Sequence, residues 1–215
     1  MQKIRIAVCV ASLTGVGLVG TAQAQDAATE LPPYAIGLSV GYESGELNDT
    51  DYDGFMAQAR FIKPVWTTYP LFFYGVDVTY RDVDFDEDGF SGEGWGVGPV
   101  VGAMIPLDGF MDMPEGAPRG LGAPVYVRYN FIDDLELSGP AEFDIDGESL
   151  TVGGQIPLPI NLGYGLLYNI QAEYTEYFHD DQEVLGVEVT DIDRSSWAVM
   201  FQVGIPIGGE IPGRR

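Results

Sequence analysis

Residues 71–89 read LFFYGVDVTYRDVDFDEDG, and their side chains sort onto two faces at a period of two. Phe72, Tyr74, Val76, Val78 and Tyr80 fall on one face, and Gly75, Asp77, Thr79 and Arg81 on the other. This is a strand with an apolar side and a charged side. In a soluble sandwich the apolar side meets a second sheet, and in a membrane barrel it meets lipid. The segments on either side decide which.

Upstream, residues 34–43 set Tyr34, Ile36, Leu38, Val40 and Tyr42 against the small Ala35, Gly37, Ser39 and Gly41. Residues 55–63 set Phe55, Ala57, Ala59 and Phe61 against Met56, Gln58 and Arg60. Downstream, residues 95–105 put Trp95, Val97, Pro99, Val101 and Ala103 on one face and Gly96, Gly98 and Gly102 on the other. Proline has no N–H for a ladder, so a bulge is expected at Pro99. The alternation returns in 125–131, 150–156, 166–175 and 197–205, which makes eight strands.

The second, fourth, sixth and eighth strands each run into a proline, Pro64, Pro106, Pro157 and Pro206, at spacings of 42, 51 and 49 residues. Each interval spans two strands with a loop and a turn, so the hairpins close at one level. The acidic segments 44–54, 133–148 and 179–193, and the acidic tip of the 71–89 stretch, then read as loops at the opposite end. The connection 107–122, LDGFMDMPEGAPRGLG, is long for a turn and interrupts the pattern.

The chain opens on what reads as an export signal. Lys3 and Arg5 precede an apolar or small run, residues 6–19, and Ala22-Gln23-Ala24 offers a cleavage site before Gln25. Residues 1–24 are expected to be removed, 25–33 to form a short leader, 34–207 the barrel and 208–215 a tail. Ser12, Thr14 and several glycines interrupt the run, which falls short of the ~20 apolar residues of a spanning helix. Cys9, the single cysteine, lies within it, so the mature chain has no thiol for a disulfide or a cysteine metal site.

Removing Lys3 and Arg5 with the signal leaves eight of the ten basic residues against 33 acidic ones, a formal charge of −25. Such a balance excludes nucleic acid as a partner. No later segment approaches the length of an apolar spanning helix, so a membrane would have to be crossed by strands.

Orientation follows from volume. Turned inward, as in a soluble ligand-carrying barrel, the Tyr, Phe and Trp faces would overfill eight strands. Turned outward, they leave a lumen for Gln58, Arg60, Asp77, Thr79, Arg81, Arg128, Asn130, Gln155, Asn169, Gln171, Glu173 and Gln202, a polar filling that fits. The expected fold is all-β: an eight-stranded antiparallel up-and-down transmembrane β-barrel in the bacterial outer membrane, lipid outside and a monomer. Tyr34, Tyr42, Phe55, Phe61, Tyr74, Tyr80, Trp95, Tyr129, Tyr174 and Trp197 supply its aromatic girdles.

On this pattern of strands the chain resembles the small outer-membrane barrels of the OmpA, OmpX and OmpW type over residues 34–207. The resemblance implies a non-enzymatic envelope barrel. One departure is the end: such chains commonly finish on an aromatic residue, whereas here the last strand runs through Phe201 and Ile205 into GGEIPGRR.

Three constellations bear on chemistry. D-x-D-x-D-G occurs at Asp49, Asp51, Asp53 and Gly54 and again at Asp84, Asp86, Asp88 and Gly89, with a shorter form at Asp144, Asp146 and Gly147. Alternate oxygen ligands before a glycine are how a calcium loop begins. The second copy has Trp95 at the twelfth position in place of glutamate, so each copy alone reads as a solvated rim. Several of them at one mouth favour weak Ca2+ or Mg2+ binding, because repelling carboxylates gain by sharing a cation. Arg60, Asp77, Arg128 and Glu173 project inward near mid-barrel with Arg81 higher up, and they read as an ion-pair plug rather than the lining of a porin-like channel. His179, the single imidazole, adjoins Asp180 and Asp181. A surface histidine is the ordinary reading; the alternative is a lipid-modifying barrel enzyme pairing His179 with Ser195 or Ser196. A soluble exported ligand carrier is the third class.

Overall fold

The computed structural model describes residues 34–65, 71–86, 90–106, 122–139, 143–158, 166–179, 182–184, 187–189 and 192–207. The strands are β1 (Tyr34–Leu47), β2 (Thr50–Val65), β3 (Leu71–Phe85), β4 (Ser91–Pro106), β5 (Gly122–Asn130), β6 (Ile132–Ser138), β7 (Phe143–Ile145), β8 (Gly147–Pro157), β9 (Leu167–His179), β10 (Gln182–Val184), β11 (Val187–Val189) and β12 (Asp193–Ile207). β5 runs on into β6 and β7 into β8, so the wall has eight antiparallel staves, closed by β1 on β12 and β3 on β4. β10 and β11 pair only with each other. Closure leaves the wall without an open edge, the condition for strands to cross lipid. Pro64, Pro106, Pro157 and Pro206 pair with Phe73, Gly122, Asn169 and Ala35, all at the end that also holds Tyr34 and Ile207. The expected signal, leader, long connection and tail lie outside the described residues, apart from Gly122, which opens β5.

The bulge lies opposite Pro99. Val100 pairs with Arg128 and Val97 with Ile132, so two residues of β4 face three of the neighbouring stave. Proline offers no N–H here, and the Phe131 N–H bonds the Val97 carbonyl at 3.1 Å. Phe131 and Ile132 both point outward. The extra residue flips the parity of everything after it, and Asp133 turns inward and is fully buried.

Two of the expected acidic loops are strand. In 44–54, β1 continues to Leu47 and β2 starts at Thr50, joined by a two-residue turn in which Asn48 and Asp49 have φ of 47° and 67°. Positive φ at both central positions suits the right-handed twist of a hairpin, and Asn and Asp tolerate it. In 133–148, residues up to Ser138 extend the fifth stave and Phe143–Ile145 pairs back on it. The staves are thus longer than the ten residues a lipid span needs.

The cause is an inversion of polarity along the barrel. Between the girdles the apolar residues face out. Tyr34 to Tyr42 covers about 26 Å of strand at ~3.3 Å per residue, which tilt reduces to about 20 Å of height. The outer girdle includes the cross-strand pairs Tyr80–Trp95 and Tyr174–Trp197, with ring centroids 4.8 and 4.7 Å apart. Beyond it the sides exchange: Tyr52, Val83, Leu135, Leu137 and Ile145 form an apolar cluster inside, and carboxylates stand outside. That collar is built like a soluble barrel.

Candidate functional site

The lumen is packed in layers. At the proline end Phe73, Val100 and Tyr126 form an apolar floor with Ile62 and Met104. Above it is an amide layer, in which the Gln202 and Gln155 side-chain N–H groups both donate to Gln171 Oε1 at 3.0 Å.

The next layer joins four of the expected residues. Arg60 donates from Nη2 to Asp77 at 2.7 Å and to Glu173 at 3.2 Å; Arg128 reaches Glu173 at 3.1 Å and Asp77 at 3.3 Å. Each guanidinium faces both carboxylates, so the quartet is neutral. Burial makes the unpaired charges expensive and the paired arrangement mandatory. Glu173 Oε1 also accepts from Tyr126 OH at 2.7 Å, Gln171 at 2.9 Å and Gln58 at 3.1 Å. Tyr126 can cross the lumen because β8 offers Gly153 beneath it: a Cβ there would lie 2.5 Å from its ring.

Arg81 belongs to a separate, outer cluster. It donates to Asp133 at 2.7 Å and lies 3.3 Å from Glu43. Asp133 also accepts from Asn130 at 2.9 Å, and Glu43 from Tyr177 OH at 2.9 Å. Gly96 makes the room, since a Cβ on it would sit 2.5 Å from Thr79 Oγ1 and 2.9 Å from Asn130 Nδ2. Arg194, from β12, completes this layer beneath the apolar cluster. Glu43 and Arg194 were legible, because Glu43 continues the inward parity of Ser39 and Gly41 and Arg194 that of Ser196; Asp133 was not, because the extra residue that turns it inward lies on its own stave and not at Pro99. With its lumen filled by buried side chains, the barrel reconstituted in a planar bilayer should show no single-channel steps; regular steps would show that the lumen is not closed.

Outside, Asp49 sits in the turn, while Asp51, Asp53, Asp84 and Asp86 face away from the lumen; Asp88 lies outside the described residues. Strand pairing opposes like charges directly. Glu46 faces Asp51, Asp53 faces Asp84, and Asp82, Glu93, Glu136 and Asp144 make one row across β3, β4, β6 and β7. Three girdle tyrosines donate to collar carboxylates: Tyr42 to Asp53, Tyr129 to Glu148, and Tyr174 to Glu176, the last at 2.6 Å. Among the described residues no three His, Asp or Glu side chains converge into a metal cage.

Ser195 and Ser196 point to opposite sides of the wall, and Ser196 shares a hydrogen bond with Tyr177 OH at 3.1 Å. Ser195 pairs with Glu176, so His179 is three residues, about 10 Å, further along β9. The side chain of His179 lies outside the described residues.

A closed eight-stave barrel with an apolar, girdled exterior and a polar filling is an outer-membrane β-barrel. No protein-family model matches the chain, and no curated protein matches it in sequence. Neisserial surface protein A shares the fold, with a TM-score of 0.54 and 10% identity over 81% of this chain and 97% of its own. The β domain of the Bordetella autotransporter BrkA gives 0.49 with 12% identity over 79% and 70% of the two chains. Ail, the attachment invasion locus protein of Yersinia pestis, gives 0.41 with 12% identity over 80% and 98%.

Proposed function

We propose that this chain is a non-enzymatic, monomeric outer-membrane barrel whose outer collar binds divalent cations. The observation that carries the reading is the row Asp82–Glu93–Glu136–Asp144, each member directly opposite the next. Cross-strand neighbours place their Cβ atoms about 5 Å apart, where two like charges in water repel by roughly 0.8 kcal/mol. A Ca2+ or Mg2+ ion shared between neighbours replaces that repulsion with attraction. Pairwise sharing in place of a cage points to weak sites, with Kd in the range of about 0.1–1 mM. A protein partner of the collar would be basic, because the outer segments 44–54, 82–93, 133–148 and 176–193 contain no lysine or arginine.

The test is an unfolding titration of the refolded barrel in detergent. Ca2+ should raise the midpoint saturably, beyond NaCl at equal ionic strength, with a matching change in tryptophan fluorescence through Trp95. The double variant Glu93→Gln, Glu136→Gln should lose most of the response and be the more stable protein without cation. Equal effects of NaCl and CaCl2 at matched ionic strength would refute the reading.

A further inference from the structure

Three of the four arginines enclosed in the lumen face two carboxylates each. Arg60 and Arg128 share Asp77 and Glu173, and Arg81 has Glu43 and Asp133. The fourth, Arg194, is fully buried and, among the described residues, has no carboxylate within ion-pair distance. Its Nε donates to Tyr52 OH at 3.1 Å, and its Cζ lies 3.9 Å from the Tyr177 ring centroid and 5.3 Å from that of Tyr52. Both terminal nitrogens, Nη1 and Nη2, are buried without an acceptor among the described residues. Aromatic faces offset part of the desolvation of a guanidinium but present no lone pairs to its N–H groups.

The two acids of the same layer, Asp133 and Glu43, lie nearer to Arg81 than to Arg194, and neither makes an ion pair with Arg194. Asp133 accepts from Arg81, Asn130 and Ser149, and Glu43 from Tyr177 while its other oxygen faces Arg81 Nε at 3.3 Å. We propose that Arg194 holds a small-anion site in the outer lumen: the fork of Nη1 and Nη2, with the Tyr52 hydroxyl beside it, takes one monoanion of halide or formate size. A planar fork suits a single small acceptor or a bidentate carboxylate. The apolar cluster overhead favours weakly hydrated anions. The buried Glu43 carboxylate in the same layer repels a second negative charge, so sulfate and phosphate are disfavoured.

The site does not depend on the collar, whose charge repels anions. To test it, the barrel is refolded with sodium bromide replacing sodium gluconate at constant ionic strength, and thermal unfolding is followed by heat-modifiable migration. The midpoint should rise saturably with bromide and not with sulfate, and crystals grown in bromide should show anomalous density within hydrogen-bond distance of Arg194. Arg194→Gln should abolish the dependence. Should that variant fail to fold, Tyr52→Phe, which keeps the guanidinium, should raise the half-saturating bromide concentration several-fold. A flat bromide response in the wild type, an unchanged response in Arg194→Gln, or anomalous density at the surface alone, an adventitious ion only, would overturn the assignment.

Discussion

Replacing Glu173 with alanine should destabilise the barrel by about 3–5 kcal/mol, the range for removing one partner of a buried ion pair. The side chain accepts from both Arg60 and Arg128 and from three neutral donors, so its loss leaves two buried guanidinium groups sharing Asp77 alone. The layer passes from neutral to one net positive charge. Urea titration in lipid vesicles measures the loss, and heat-modifiable migration confirms that the variant still folds. Glu173→Gln retains acceptor and donor capacity and should lose less. A loss under about 1 kcal/mol, the range of an exposed pair, would show that the quartet is not what holds the lumen together. Removing charges in matched pairs should cost less than the single losses added together, because the arginines and acids act as one unit.

That unit was readable in outline from the chain alone, because inward parity at Arg60, Asp77, Arg128 and Glu173 is a property of each strand separately. What parity could not supply was which residues meet. Arg81 lies on the same strand and face as Asp77, yet stagger between strands carries it to Asp133 and Glu43. The outer ends read as loops in the sequence for a physical reason. A membrane strand carries its apolar residues outside, and beyond Tyr80 and Trp95 the apolar residues move inside, so the parity of Val83, Leu135, Leu137 and Ile145 is hidden among the aspartates. The turn at Asn48-Asp49 lacked the glycine that usually marks a two-residue hairpin. Pro99 marked where the ladder breaks, but the extra residue lies on the neighbouring stave, and nothing in the sequence of that stave announces that Phe131 and Ile132 both face outward or that Asp133 turns in.

The inversion makes an expectation that separates it from an ordinary barrel with floppy loops. Leu38, midway between Tyr34 and Tyr42 on β1, and Glu136, on the collar, are both exposed on the outside of the wall. Leu38→Arg should cost about 2–4 kcal/mol, since it drives a guanidinium into the middle of the hydrocarbon. Glu136→Arg should be neutral or stabilising, because its site is in water and the new charge breaks the row of opposed acids. One residue away the rule reverses: Leu135→Asp should cost about 3 kcal/mol or more, by putting an unpaired carboxylate into the apolar cluster around Tyr52 and Val83. Unfolding titrations in vesicles compare all three against the wild type. If Leu135→Asp is tolerated like a loop substitution, the collar has no core. If Leu38→Arg and Glu136→Arg cost the same, the hydrocarbon boundary does not lie at the aromatic girdle, and the collar carboxylates are not where a hydrated cation can reach them.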